Sequence, residues 1–366
     1  MSKYPAVLSL SMLAVASVAH PDPPDAGTSV QWGAFVDTYY AWDSERPYNF
    51  DRAYTTQPAR HAEFNINLAY VEAKLSGPRL RGRLALQWGT SVQANYAGEP
   101  KIGSTSGPGV SQYIQEATIG YQVSHSVWLD AGIFPAHLGY EGWISRDNLT
   151  YTRSLVAEFS PYYEAGVKAT WTMSPKLTGA LALVNGWQDI SNYNTPPAGG
   201  IRLDWSPNSR WTLSLDNFVG NAAADKTPVR MRVYHDLIGQ YKPDSRWQLA
   251  LVLSHGFQTD STADGGTATW WGGTAQAKLR TTARFAVVGR VEYYTDPHQV
   301  IVVTGYPDSF KATGGSIGTD VTLAHRILWR TELRGFHSPA RVWPTNTRGL
   351  LTDHDTVLVT SLAVTF

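Results

Sequence analysis

"LRGRLALQWGTSVQANY", residues 80–96, alternates apolar and polar positions over its whole length. Leu80, Leu84, Leu86, Trp88, Val92 and Tyr96 share one face, while Arg81, Arg83, Gln87, Ser91, Gln93 and Asn95 share the other. A period of two is the mark of a β-strand with unlike faces. Ordinary strands run about five or six residues, so a strand this long with arginines on one face needs water on one side and an apolar medium on the other. A transmembrane β-barrel supplies both, and about nine to eleven tilted residues cross the bilayer. The leucines and Trp88 are then expected to face lipid and the arginines to line a lumen. The surplus around Gln93 to Tyr96 is expected to rise above the membrane.

The same pattern recurs along the chain. Alternation predicts strands at 30–42, 64–76, 80–96, 112–123, 127–138, 162–173, 176–185, 198–206, 210–220, 229–241, 247–257, 269–280, 283–294, 311–323, 327–336 and 356–366, sixteen in all. Trp211, Leu213, Leu215 and Val219 oppose Thr212, Ser214 and Asp216; Phe285, Val287, Val291 and Tyr293 oppose Arg284, Arg290 and Glu292. No amphipathic helix is evident. Connections alternate short and long, with short ones at Gly77-Pro78, 124–126, Ser174-Pro175, 207–209, 242–246, Thr281-Thr282 and 324–326. Short turns on one side and long loops on the other are typical of outer-membrane barrels. The fold class expected is all-β, an antiparallel transmembrane barrel with short periplasmic turns and long extracellular loops.

Two strands resist simple alternation. In "EFNINLAYVEAKLS" (63–76), Phe64, Ile66 and Leu68 share a face with Glu72 and Lys74, which favours a β-bulge near Leu68 over a strand lying against an inner loop. His235 falls on the predicted lipid face with no evident reason.

Aromatics mark the membrane edges. "WSPNSRWTLSL" (205–215) is echoed by "YKPDSRWQLAL" (241–251), so that Trp205, Trp211, Tyr241 and Trp247 take equivalent places. With Trp32, Trp171 and Trp329 they are expected to ring the periplasmic interface, where aromatic rings tolerate headgroups and hydrocarbon alike. Trp42, Tyr96, Phe257 and Tyr293 are expected at the opposite rim.

Composition narrows the partners. Thirty basic and thirty acidic residues give a formal net charge of zero, which argues against nucleic acid. The chain has no cysteine, so thiolate metal sites and disulfides are excluded. Histidines are scattered without metal-ligand spacing or a nucleophile motif, and Asp353-His354-Asp355 reads as a solvated loop. No enzyme activity, cofactor or metal is expected. The first residues, "MSKYPAVLSLSMLAVASVA", place Lys3 before an apolar run and end in Ser17-Val18-Ala19, the pattern of an export signal cleaved after Ala19. Residues 20–29 are expected to be a flexible lead-in and 30–366 the barrel.

Residues 130–194 carry a more specific likeness. Gly139-Tyr140-Glu141, Asn148, Tyr151-Thr152-Arg153-Ser154, Pro161, Gly166-Val167, Asn185-Gly186-Trp187 and Asp189, with "WGAFVDTYYAWD" (32–43) and the terminal Phe366, resemble the β-barrel porin family of OmpL-like outer-membrane proteins. The resemblance implies a porin in the bacterial outer membrane, passing small hydrophilic solutes passively. Its alternatives are a channel selective for sugars or anions, and a plugged structural or adhesive barrel. In sixteen-stranded porins the third long loop folds inward and narrows the pore. Here that loop is 139–161, and Glu141, Arg146, Asp147, Asn148 and Arg153 are the expected constriction. Phe366 is the expected signal for the barrel assembly machinery, and trimerisation is expected by analogy.

The polar faces supply the expected pore lining: Asp37, Glu72, Lys74, Arg81, Arg83, Glu116, Arg230, Arg232, Arg290, Glu292, Arg330, Glu332 and Arg334, with Lys168 and Arg202 in the wider set of lumen charges. The basic and acidic sets nearly balance, so no ion preference follows. A two-residue turn at Gly77-Pro78 would set Glu72 opposite Arg83, and the 324–326 turn would set Asp320 opposite Arg330. Arg230, Arg232, Arg330 and Arg334 are candidates for a basic ladder guiding anions.

Overall fold

The computed structural model describes residues 27–192, 196–223, 229–307 and 309–366. The expected export signal and most of the lead-in lie outside them. Sixteen antiparallel strands close into a barrel in which each strand pairs with its sequence neighbours and the last pairs with the first. They are β1 (Ser29–Asp43), β2 (Phe64–Ser76), β3 (Leu80–Trp88), β4 (Ile114–Ser124), β5 (Val127–Pro135), β6 (Tyr163–Ser174), β7 (Leu177–Val184) and β8 (Ala198–Asn208). There follow β9 (Trp211–Asn221), β10 (Met231–Tyr241), β11 (Trp247–Gln258), β12 (Ala268–Arg280), β13 (Phe285–Asp296), β14 (Phe310–Ala324), β15 (Ile327–His337) and β16 (His354–Thr365). Phe366 follows at the closing seam, its backbone N–H donating to Ala34 O at 2.9 Å.

Alternation put the apolar face outward: Leu84, Leu129, Val167, Leu181, Leu215, Leu251, Val291, Ile317 and Leu358 are all exposed. Closure leaves no unpaired sheet edge, which is the condition for a sheet to cross hydrocarbon. Toward the short-turn end Trp32, Trp205, Trp211, Trp247 and Trp329 are exposed and Trp171 is half-buried. Tyr241 stacks on Trp211 with ring centroids 4.2 Å apart.

The opening stretch is not one strand. β3 ends at Trp88, Gly89 takes φ 136°, and Thr90–Tyr96 form a helix, α1, that turns into the barrel. A side chain at Gly89 would strike the Asn67 carbonyl, its Cβ only 2.3 Å from the oxygen, so glycine is required at this bend. Ser91, Val92, Asn95 and Tyr96 are the buried residues of α1, a helical spacing hidden inside the alternation. Tyr96 is therefore not an outer-rim aromatic; it stacks on Tyr163 inside the barrel at 4.3 Å.

The register of β1 and β2 shifts between Asp37 and Thr38, which pair with Leu68 and Ile66, leaving Asn67 as the bulged residue. Phe64 and Ile66 consequently face outward and Leu68 inward. The bulge also serves α1, because the Asn67 carbonyl accepts from Ser91 Oγ at 2.6 Å. The first short turn is longer than two residues: Ser76 pairs with Arg81, so Lys74 lies opposite Arg83 and Glu72 opposite Ala85. Asp320 does pair with Arg330. His235 is exposed on the outer face with His255 as its register partner, and nothing in the structure explains it.

Candidate channel constriction

The loop between β5 and β6, residues 136–162, folds into the barrel, because its backbone finds partners on the inner wall. Its incoming leg is held by His137, whose Nδ1 lies 2.8 Å from Glu164 Oε2 and whose Nε2 lies 2.8 Å from Asn217 O. Arg202 Nη1 donates to the carbonyls of His137 and Gly139 at 3.1 and 2.9 Å.

The middle of the loop lies on β13, β15, β16 and β1. Arg330 donates to Asp320 and to the carbonyls of Ser145, Asn148 and Leu149 at 2.6, 3.3 and 2.7 Å. Ser145 Oγ donates to Asp37 at 2.7 Å. Arg290 donates to Thr150 Oγ1, Thr152 O and Thr152 Oγ1 at 2.8, 2.6 and 2.7 Å. Glu332 accepts from Thr152 N, and Glu292 accepts from Leu155 N, both at 2.7 Å. Arg334 completes the net through Glu292 at 2.8 Å. Loop carbonyls thus meet arginines and loop N–H groups meet glutamates, so each buried charge is hydrogen-bonded, the condition for burying it at all.

The outgoing leg is clamped to the loop after β1. Arg153 lies 3.4 Å above the Tyr162 ring, donates to Thr56 Oγ1, and sits 3.5 Å from Glu158. Glu158 in turn accepts from Thr56 N at 2.9 Å. Leu155 and Val156 pack with Phe134, Tyr234, Trp270, Tyr294 and Phe310, so apolar side chains fill much of this side of the interior.

Few of the expected constriction residues face open space. Glu141 is buried, accepting from Ser154 N and Oγ, and burial pushes its carboxyl above the usual range against the pull of Arg290. Asn148 braces the loop through Gly142 N and O, both at 2.9 Å. Arg153 is fully buried in its clamp. Arg146 turns toward the short-turn end, donating to Thr365 Oγ1. Asp147 keeps an exposed side chain within the lumen, where the surrounding loop and wall desolvate its carboxyl and raise it, opposed by Arg146 and Lys74.

The expected lining divides likewise. Asp37, Arg290, Glu292, Arg330, Glu332 and Arg334 face inward but are covered by the loop. Arg232 is buried against the rings of Trp187 and Trp270, and Arg230 precedes β10 in an exposed loop, so the four-arginine ladder does not form. Open space remains beside the other wall. One cavity of about 270 Å³ lies between the loop residues Tyr140, Trp143 and Asp147 and the wall residues Arg83, Gln115 and Arg202. A second, about 340 Å³, lies nearer the short turns, lined by Lys74, Arg81, Arg83, Glu116, Asp130 and Lys168. Arg83 lines both, held by Glu72 and Glu116 at 2.6 Å each. Lys74 pairs with Glu72 at 2.9 Å, and Arg81 reaches across Gly120 to Asp130 through Nε at 2.7 Å. Gly120 leaves that path free: a Cβ there would sit 2.2 Å from Asp130 Oδ1.

Lys168 and Arg202 belong to this open space although neither was expected at the constriction. Both stand on predicted lumen faces, but only the position of the loop singles them out. Among the described residues no three His, Cys, Asp or Glu side chains form a group suited to a metal ion. His354 is exposed, its Nδ1 2.8 Å from Asp353 Oδ1.

The model of the family described as "Putative beta-barrel porin-2, OmpL-like" matches residues 29–366, the entire barrel. The chain belongs to this family. It is therefore a porin, and among solved structures it resembles other outer-membrane channels in fold. The anion-selective porin from Comamonas acidovorans is 12% identical with a TM-score of 0.60, over 93% of this chain and 100% of that one. The outer membrane channel DcaP of Acinetobacter baumannii is 11% identical with a TM-score of 0.59, over 93% and 98%. OmpT of Vibrio cholerae in its trimer form is 7% identical with a TM-score of 0.57, over 93% and 100%. No curated protein matches the porin in sequence.

Proposed function

We propose that this porin passes small hydrophilic solutes by passive diffusion along one side of its lumen, between the inward loop and the wall of β2–β8. The observation that carries this reading is a pair of cavities that share Arg83 in their lining, the first bordered by Asp147 of the loop and Arg83 and Arg202 of the wall, the second by Lys74, Arg81, Glu116 and Asp130. Ions of both signs along a narrow passage orient water and sort solutes. Asp147, Lys74, Arg81, Arg83, Glu116 and Arg202 are its working residues; Glu141, Asn148 and Arg153 shape the passage by fixing the loop. Purified protein in planar bilayers is expected to give discrete conductance steps, and their absence overturns the proposal. The apolar packing around Phe310 and Trp343 supports a second reading, a plugged barrel, which would conduct only after residues 139–161 were deleted.

The short turns and both chain ends then lie on the periplasmic side, after export by a cleaved signal, and Phe366 serves the assembly machinery. The exposed apolar band contacts outer-membrane lipid. A homotrimer is supported by the strand count and by the trimer form of OmpT; a monomer in native gels and crosslinking would overturn it.

A further inference from the structure

We propose that Lys168 is an anion-binding point of the channel, taking a small oxyanion, a carboxylate or a phosphate, from the passing stream. This rests on the passage along β2–β8 proposed above. Lys168 stands on the inner face of β6, with Asp130 of β5 and the small Ala182 of β7 as register partners. Two of its carboxylate neighbours are paired with arginines: Asp130 gives both oxygens to Arg81, and Glu116 is held by Arg83. Glu164 makes its contact with His137 and none with Lys168. Among the described residues Lys168 has no ion-pair partner; its Nζ lies 4.4 Å from the centroid of the Phe134 ring.

A ring attracts an ammonium without neutralising it. The chamber that Lys168 lines is the 340 Å³ cavity, in which Lys74, Arg81 and Arg83 are matched by Glu72, Glu116 and Asp130. Among the described residues Lys168 is the lining cation of this chamber that makes no ion pair. Thr170, on the same strand and face, lines the same chamber and brings a hydroxyl donor for an oxyanion. An ammonium held by a ring in a polar chamber can attract an anion yet release it, which conduction requires.

The test is reversal potential in a KCl gradient across planar bilayers, followed by titration with inorganic phosphate. Wild type is expected to prefer chloride and to show phosphate block. Lys168→Gln should lower the chloride-to-potassium permeability ratio about threefold, the effect of one unit charge some ångströms from the ion path in water, and remove the block. Lys168→Arg should keep both. Lys74→Gln removes the same charge from a matched set, leaving Glu72 with Arg83, and should change the ratio less. Conducting Lys168→Gln channels with wild-type ratio and block overturn the proposal, as does a Lys74→Gln effect equal to that of Lys168→Gln. Channels without anion preference in wild type also overturn it and leave the diffusion reading standing, whereas absence of conductance in every variant overturns the diffusion reading itself.

Discussion

Arg83 on β3 and Arg330 on β15 both face the lumen, and both hold a carboxylate at short range, 2.6 Å to Glu72 and 2.7 Å to Asp320. Their surroundings differ. Arg330 is 1% exposed and also holds three loop carbonyls, whereas Arg83 is 16% exposed, contacts only side chains and lines two cavities. The same contrast separates the two halves of the inner wall. From β13 round to β1, charged side chains grip the middle of the inward loop; on β2 to β5 they border open space, while Glu164 of β6 and Arg202 of β8 hold only the loop's incoming leg. An inward charge on a barrel strand is therefore a lining group only where no loop covers it, and removal should affect stability on one side and permeation on the other.

The largest effect is expected from Arg290→Ala. It leaves Glu292 and Glu332 buried with fewer partners and frees Thr150 and Thr152, at a cost of about 3–5 kcal/mol. Thermal unfolding followed by gel mobility should shift strongly, and the conductance of folded channels should become larger and noisier. Arg153→Ala ranks next. Loss of the clamp to Thr56, Glu158 and Tyr162 should expose residues 139–161 to protease while ion selectivity stays near wild type. A changed reversal potential with an intact loop would instead make Arg153 a lining residue.

Arg83→Gln should reverse that pattern. Its pairs border water, so stability should fall by about 1 kcal/mol or less, while conductance and selectivity change. A smaller effect is expected from pH at the loop after β7. Burial, then the neighbouring Glu99, pushes the Asp189 carboxyl from 3.8 up to about 7. The docked loop therefore holds the proton more tightly than the free loop. Docking should be strongest below pH 3.8, weaken as pH rises and lose this contribution above about 7. Hydrogen exchange of residues 185–192 should show that slope, and Asp189→Asn should abolish it.

The barrel was legible because alternation and the rhythm of short and long connections act through local geometry. All sixteen barrel strands lie where the pattern put them, most ends within two residues. The error at 89–96 has a local cause: Val92 and Tyr96 satisfy both a strand period and a helix period, and Gly89 was the sign of the break. The inward fold of 139–161 was expected from its place as the third long loop of a sixteen-stranded porin. Its contacts could not be read, since Glu292 and Glu116 occupy equivalent polar faces and only the path of a distant loop buries one of them. Nor did the strand pattern show that Phe134, Phe218, Tyr234, Trp270 and Tyr294 point inward to pack against loops. An inward aromatic breaks the simple rule of a polar lumen wherever a loop supplies it with an apolar partner.

The division of the lumen can be measured directly because the chain has no cysteine. Thr170→Cys places a single thiol in the chamber beside Lys168, and Thr274→Cys places one on the inner face of β12, opposite Glu292 of the covered wall, where Thr274 is 2% exposed. A charged, water-soluble thiol reagent added during single-channel recording should react rapidly with the first and reduce its current, leaving the second unmodified. Equal reaction at both positions, or reaction at Thr274→Cys alone, would contradict a passage confined to the β2–β8 side.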